Sequence, residues 1–158
     1  MIKLQKQTKL HGPENGVKGN CYTACIASIV GRPIADFAEF EEAYGLWADS
    51  CEEEEPDYKL RTKYIEVLGR MGWIALTIDP GFSWNPHGLV PFGYSIASGP
   101  GPRGFDHSCV ACNGVVIFDP HPSNDNLVSI DYYEVIHPAL FVPDAHGENP
   151  DDKPGQGG

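Results

Sequence analysis

The amino-acid sequence predicts an α+β fold with an antiparallel sheet. Apolar residues recur at helical spacing only in the first half of the chain, between Cys21 and Met71. From Trp73 onward the apolar runs are short, aromatic or β-branched, and bounded by Gly, Pro, Asn or Asp. Helices followed by strands, without alternation, argue against the crossover units of a parallel sheet. The 158 residues are 41% hydrophobic and 21% charged, which is enough apolar material for one core and too little chain for two. Residues 1–143 are expected to form that domain. Residues 144–158 are rich in Gly, Pro and Asp, lack an apolar anchor, and read as a disordered tail.

Residues 5–20 are punctuated by Gly, Pro and Asn and follow no period, so they read as a loop. The first helix begins at Cys21. Ala24, Cys25, Ile26, Ala27, Ile29 and Val30 make it apolar or small nearly all round, the pattern of a buried helix. Asn20 is its expected N-cap, and Gly31-Arg32-Pro33 ends it. A second helix is predicted over 35–47, where Phe37, Phe40, Tyr44 and Trp47 share a face. A third is predicted over 58–71 on the stripe Leu60, Tyr64, Leu68 and Met71. The acidic run Glu52–Glu55 before it is expected to be solvated and to complement the helix dipole. Strands are expected at 73–78, 90–97, 105–112, 115–118 and 135–142.

Charge and cysteine usage narrow the function classes. Eleven Lys and Arg against 22 Asp and Glu give a formal charge of -11, which argues against nucleic acid or anionic membrane as a partner. No apolar run approaches the roughly 18 residues of a membrane span. Residues 1–10 show no apolar core of a secretory signal. Five cysteines, an odd number, fit free thiols in a reducing cytoplasm better than a disulfide framework.

Cys21 carries the most chemical information. A thiol in the first turn of a helix faces unpaired backbone N–H groups and the positive end of the dipole, so a lowered pKa is expected. The same N–H groups form half of an oxyanion hole. Cys25, one turn deeper, reads as packing. A cysteine nucleophile needs a base and a group to orient it, and His107 and Asp119 lie on the two strands flanking Asn113-Gly114. A two-residue turn there sets His107 against Pro120 and puts Asp119 on the opposite face. A three-residue loop, Cys112-Asn113-Gly114, sets His107 opposite Asp119 on one face. The catalytic reading requires the second, or an equivalent bulge. His11, His87, His137 and His146 read as ordinary surface. His121 is a candidate for lining the cleft, and Arg103, in Ser98-Gly99-Pro100-Gly101-Pro102-Arg103-Gly104, for holding a substrate carboxylate. Zinc is the rival use of Cys109 and Cys112, but residues three apart on a strand point to opposite faces, and no second pair completes a tetrahedral set. No metal and no cofactor are expected.

A cysteine opening a buried helix, a later strand histidine, and an aspartate on the next strand together resemble the papain-like superfamily of cysteine peptidases. The likeness is to the compact branch that includes bacteriocin-processing (C39-type) and related bacterial and phage hydrolases. It is carried by Gln7-Thr8, by Gly19-Asn20-Cys21-Tyr22-Thr23-Ala24-Cys25-Ile26-Ala27-Ser28, by Pro102-Arg103-Gly104 leading to His107, and by Asp119-Pro120-His121-Pro122-Ser123. The resemblance implies a papain-like α+β domain in which Cys21 attacks an amide carbonyl, His107 moves the proton and Asp119 orients the imidazole. It also implies a glutamine completing the oxyanion hole. Gln7 stands fourteen residues before Cys21, whereas a six-residue gap is usual in that superfamily and falls here on Asn15, so Gln7 is the expected residue and Asn15 the reserve. The implied activity is hydrolysis of a peptide, isopeptide or related amide in a peptide or protein substrate. Alternatives are a thiol acyltransferase, a papain-like binding or inhibitor module of phage origin without turnover, and a structural zinc domain.

Overall fold

Three helices pack on one face of a five-stranded antiparallel sheet in this computed structural model, which describes residues 2–12, 16–51, 54–79 and 90–139. Asn15 and the expected tail lie outside those residues. Helix α1 spans Cys21–Val30, and every residue from Tyr22 to Ser28 is buried. It stops where Gly31 turns left-handed (φ 77°) and returns its N–H to Ala27 O at 2.9 Å. A 3-10 turn, Ile34–Phe37, precedes α2 (Ala38–Ser50), so the predicted second helix is split at its start and runs three residues longer. Helix α3 (Tyr58–Arg70) is capped by Asp57, whose side chain accepts from Lys59 N at 2.9 Å. Glu54 and Glu55 before it are exposed, as a solvated approach requires.

The strands are β1 (Trp73–Ile78), β2 (Tyr94–Pro100), β3 (Asp106–Cys112), β4 (Val115–Phe118) and β5 (Tyr132–Pro138), in the order β1-β5-β2-β3-β4. Strands β1 and β4 have the predicted bounds, and β3 begins one residue late. β2 and β5 are displaced by three or four residues, because apolar character alone does not say where the ladder hydrogen bonds begin. The α+β class holds. Ile96, Val110 and Ile136 of the sheet join Ile26, Phe37, Phe40, Val67 and Leu68 of the helical layer in the main core. Ala97, Ala111 and Tyr133 point to the other face, under Leu127 and Ile130 of the segment leading to β5. That segment crosses β2 so closely that a Cβ on Gly99 would stand 2.4 Å from Ser129 O.

The loop expected over residues 5–20 forms no regular element in its described part apart from one bridge, Gly12↔Val17. It nevertheless follows α1 in the reverse direction. Lys3 N donates to Ser28 O at 2.9 Å near the helix end, and Asn20 N donates to Lys9 O at 3.2 Å near its start. This tether changes the role of Asn20. Its Oδ1 accepts from Thr8 N (3.1 Å) and Lys9 N (2.9 Å), and its Nδ2 donates to Thr8 Oγ1 and Glu41 Oε2. No side-chain cap remains for α1. Asn20 stands at the predicted N-cap position, but its side chain is a buried clamp on the preceding chain.

Candidate active site

The β3–β4 hairpin decides whether a histidine and an aspartate can meet. Asn113 (φ 50°) and Gly114 (φ 78°) form a two-residue turn with both central residues left-handed, pairing Cys112 with Val115 and Ala111 with Val116. The three-residue alternative does not form. Had the ladder continued unbroken, Asp119 would face away from His107. It slips instead: Val110 pairs with Phe118, leaving Ile117 as the bulge. Extended two residues further, that register sets Cys109 beside Asp119 and His107 beside His121. His107 and Asp119 thus become diagonal neighbours on one face, within reach of an imidazole and a carboxylate. The His107 and His121 rings stand 6.3 Å apart.

His107 Nε2 and Asp119 Oδ1 are 2.7 Å apart, and both residues are buried. Asp119 Oδ1 also accepts from His121 N at 2.7 Å, and Oδ2 accepts from Asn126 N at 2.9 Å. Burial works against the charged carboxylate. The hydrogen bonds from His107, His121 N and Asn126 N outweigh it, so the Asp119 pKa lies below its ordinary value. An ionised Asp119 only accepts, so Nε2 of His107 carries the proton that faces it. Nδ1 is the nitrogen left for other chemistry.

Cys21 opens α1 on the helical face of the sheet, with its sulfur against Ser108; strand alternation points His107, like Ala111, to the other face, so the sulfur and the His107 ring are not brought together. The Ser108 N–H and hydroxyl reach the sulfur, as do the N–H groups of Tyr22 and of Cys21 itself. Burial nevertheless pushes the thiol pKa up, and those donors do not offset it. The expected low pKa is overturned: in the seam between helix and sheet, removing water from a thiolate costs more than a helix terminus returns. Cys25 is fully buried, as its packing role requires.

Gln7 reaches the edge of this group. Its N–H donates to Pro120 O at 3.0 Å, and its Nε2 lies beside Gly19, 3.5 Å from where a Cβ would stand. That Nε2 donates to Lys9 O at 2.7 Å, and the buried Oε1 has no hydrogen-bond partner. Arg103 does not present a free guanidinium, because its Nη1 donates to Ser123 Oγ at 2.8 Å and to Asp125 Oδ2 at 3.2 Å. His121 Nδ1 accepts from Ser123 N at 3.1 Å, and burial lowers its pKa. Two residues escaped sequence reasoning. Ser108 had no signal beyond following the histidine. Lys6, whose Nζ donates to Asp119 O and His121 O at 2.9 Å, is adjacent only to Gln7.

His107, Cys109 and Asp119 also bring one potential metal-ligand atom each within 4.8 Å of one another. Their chemistry suits zinc, but the geometry favours a hydrogen-bonded pair. Two ligands about 2 Å from a tetrahedral ion stand about 3.3 Å apart, whereas Nε2 and Oδ1 are at 2.7 Å. Burial pushes the Cys109 thiol up to about 12 without a metal, and a zinc ion would have to displace that proton. Cys112, its expected zinc partner, sits partly exposed at the end of β3.

Cavities on the helical side of the sheet form among the described residues. One of 790 Å³ separates the N-terminal segment from α2, and one of 230 Å³ lies among α2, α3, β1 and β5. Cys21, His107 and Asp119 wall neither of them. Among the described residues no helix is long and apolar enough to cross a membrane. Comparison with known proteins finds no family model, no curated protein and no solved structure that matches this chain.

Proposed function

We propose that the chain is a papain-like cysteine hydrolase that cleaves an amide or isopeptide bond through an acyl-enzyme on Cys21. The observation that carries this reading is the buried His107–Asp119 pair, whose polarity leaves imidazole Nδ1 as the nitrogen to take a proton; Cys21 lies against the next strand residue, Ser108, and attack requires the start of β3 to turn His107 to the Cys21 side. Because burial keeps the thiol neutral, proton transfer accompanies attack. Cys21 Sγ bonds to the substrate carbonyl carbon as its proton passes to His107 Nδ1, and the carbonyl π pair moves onto oxygen. Asp119 stabilises the imidazolium through Nε2–H. The helix N–H groups of Cys21 and Tyr22 are donors for the oxyanion, with Gln7 at its border. On collapse the C–N bond breaks, and the leaving amine takes the proton from His107. Water, deprotonated by the same nitrogen, then releases the acid and restores the thiol. An amine in place of water makes the same sequence an acyl transfer.

The test is intact-mass analysis after incubation with peptide, isopeptide and glutamine-amide substrates. The expected result is a covalent adduct on Cys21 that Cys21→Ala abolishes and His107→Ala slows. A specific observation favours a second reading, a papain-like binding module without turnover: the thiol is desolvated and neither cavity is walled by it. Failure to acylate with any substrate class, with the fold intact, decides for that module.

A further inference from the structure

A polar row leads away from Cys21 along the helical face of the sheet. Ser108 of β3 meets Ser98 of β2, hydroxyl to hydroxyl at 2.9 Å. Ser98 lies opposite Tyr132 of β5, and Glu134 is the next residue of β5 on that face. The row ends in the 230 Å³ cavity. Tyr44, Trp47, Tyr64 and Tyr132 wall it, with their rings tilted against one another: Tyr44 and Tyr64 are 5.4 Å apart at 76°, Trp47 and Tyr64 6.5 Å apart at 41°. Aromatic rings around one volume offer a cation the negative faces of their quadrupoles where a face is open to it.

Glu134 completes the charge pattern. Its side chain reaches the cavity but is only 8% exposed, and its one well-formed side-chain hydrogen bond, from Thr77 Oγ1, is long at 3.3 Å. The Tyr22 hydroxyl is buried without a hydrogen-bond partner, and the charge that acts on it most is that of Glu134. Burial pushes the Glu134 pKa up, toward its neutral form, and a cation in the cavity would restore the carboxylate. Arg61, exposed on α3 at the cavity wall, already responds to that field: it reaches Tyr64 and interacts with Glu134. Tyr22, next to Cys21 in the chain, stacks on Tyr44 of the cavity wall at 4.4 Å and 4°.

We propose that this cavity receives a cationic side chain, ammonium or guanidinium, of the peptide whose carbonyl Cys21 attacks. The word substrate rests on the hydrolase reading above, whereas the preference for a cation rests on the cavity alone. An anion meets aromatic walls and a carboxylate there, and a neutral group adds nothing to the compensation that Arg61 already gives Glu134. The net charge of -11 draws a cationic partner toward the whole molecule.

The test uses the full chain carrying Cys21→Ala, titrated by calorimetry with Nα-acetyl-arginine amide, Nα-acetyl-lysine amide and the uncharged isostere Nα-acetyl-citrulline amide. At least one cationic amide is expected to bind roughly tenfold tighter than the citrulline amide, and the tighter of the two identifies the head group. Glu134→Gln is expected to remove that preference. Arg61→Ala, which removes a competing guanidinium, is expected to keep or strengthen it. Equal binding of all three amides, binding of none, or a preference that survives Glu134→Gln overturns the proposal. Should Glu134→Gln melt early, the citrulline comparison on the otherwise unchanged chain decides. Cation binding without acylation of Cys21 retains this site and sinks the hydrolase reading, and acylation without a cation preference does the reverse.

Discussion

Asp119→Asn isolates the interaction on which the candidate site depends. The carboxylate is 3% exposed and accepts three N–H groups, from His107, His121 and Asn126. The replacing amide offers one acceptor oxygen. If that oxygen keeps His107 and His121, the amide nitrogen faces the Asn126 N–H, donor against donor. One charge-assisted bond is then lost, at about 1.5–3 kcal/mol, and two others weaken to neutral strength, near 1 kcal/mol each. The expected loss at neutral pH is therefore at least about 2.5 kcal/mol. It carries a pH signature. Because the Asp119 pKa is lowered in the folded chain, its contribution is complete above the unfolded value of about 3.9 and disappears as pH falls through the folded one. Urea unfolding of both proteins, from about pH 7 downward, should show the gap close as the native carboxylate takes up its proton. A gap below about 1 kcal/mol at neutral pH, or one that does not change with pH, refutes a buried ionised Asp119 holding His107.

Three further outcomes follow from named contacts. In a Cys51→Ser background, which removes an exposed competing thiol, the rate of Cys21 alkylation by iodoacetamide should keep rising beyond pH about 8.5, because burial raises its pKa; a plateau near neutral pH would show a preformed thiolate. Gly99→Ala places a Cβ 2.4 Å from Ser129 O and should cost about 1–3 kcal/mol in thermal unfolding, whereas Gly45→Ala in α2 meets nothing within 4 Å and should stabilise by about 0.5–1 kcal/mol; equal effects would contradict the close crossing of β2. Cys109 holds its proton to about 12, so the unfolded chain ionises first and native stability should fall as pH rises above about 8.5, by up to about 1.4 kcal/mol per unit from this thiol. Cys109→Ala should flatten part of that alkaline slope in urea titrations, and an unchanged slope would place the sensitivity elsewhere.

Much of the candidate site is legible in the chain because its cues are local. Cys21 follows Gly19-Asn20 at the start of an apolar run, and such a run becomes a buried helix wherever it docks. Asn113-Gly114 prescribes a tight hairpin, since few other pairs tolerate two left-handed residues. These cues place His107 and Asp119 on adjacent strands. They do not say on which face Asp119 falls. That depended on the bulge at Ile117, which has no sequence marker: Ile117 is apolar and β-branched like its neighbours.

Sequence alone determined the class of fold, the order of helices and strands, the burial of α1 and the pairing of β3 with β4, because periodicity and turn chemistry act over a few residues. Tertiary structure decided the direction in which burial shifts the Cys21 pKa, the diversion of the Asn20 side chain from capping to clamping, and the pairing of Arg103 with Asp125. It also brought Glu134 together with tyrosines from three separate elements. Each of these depends on water excluded, or a partner supplied, by chain far away in sequence, and desolvation is a property of the assembled volume.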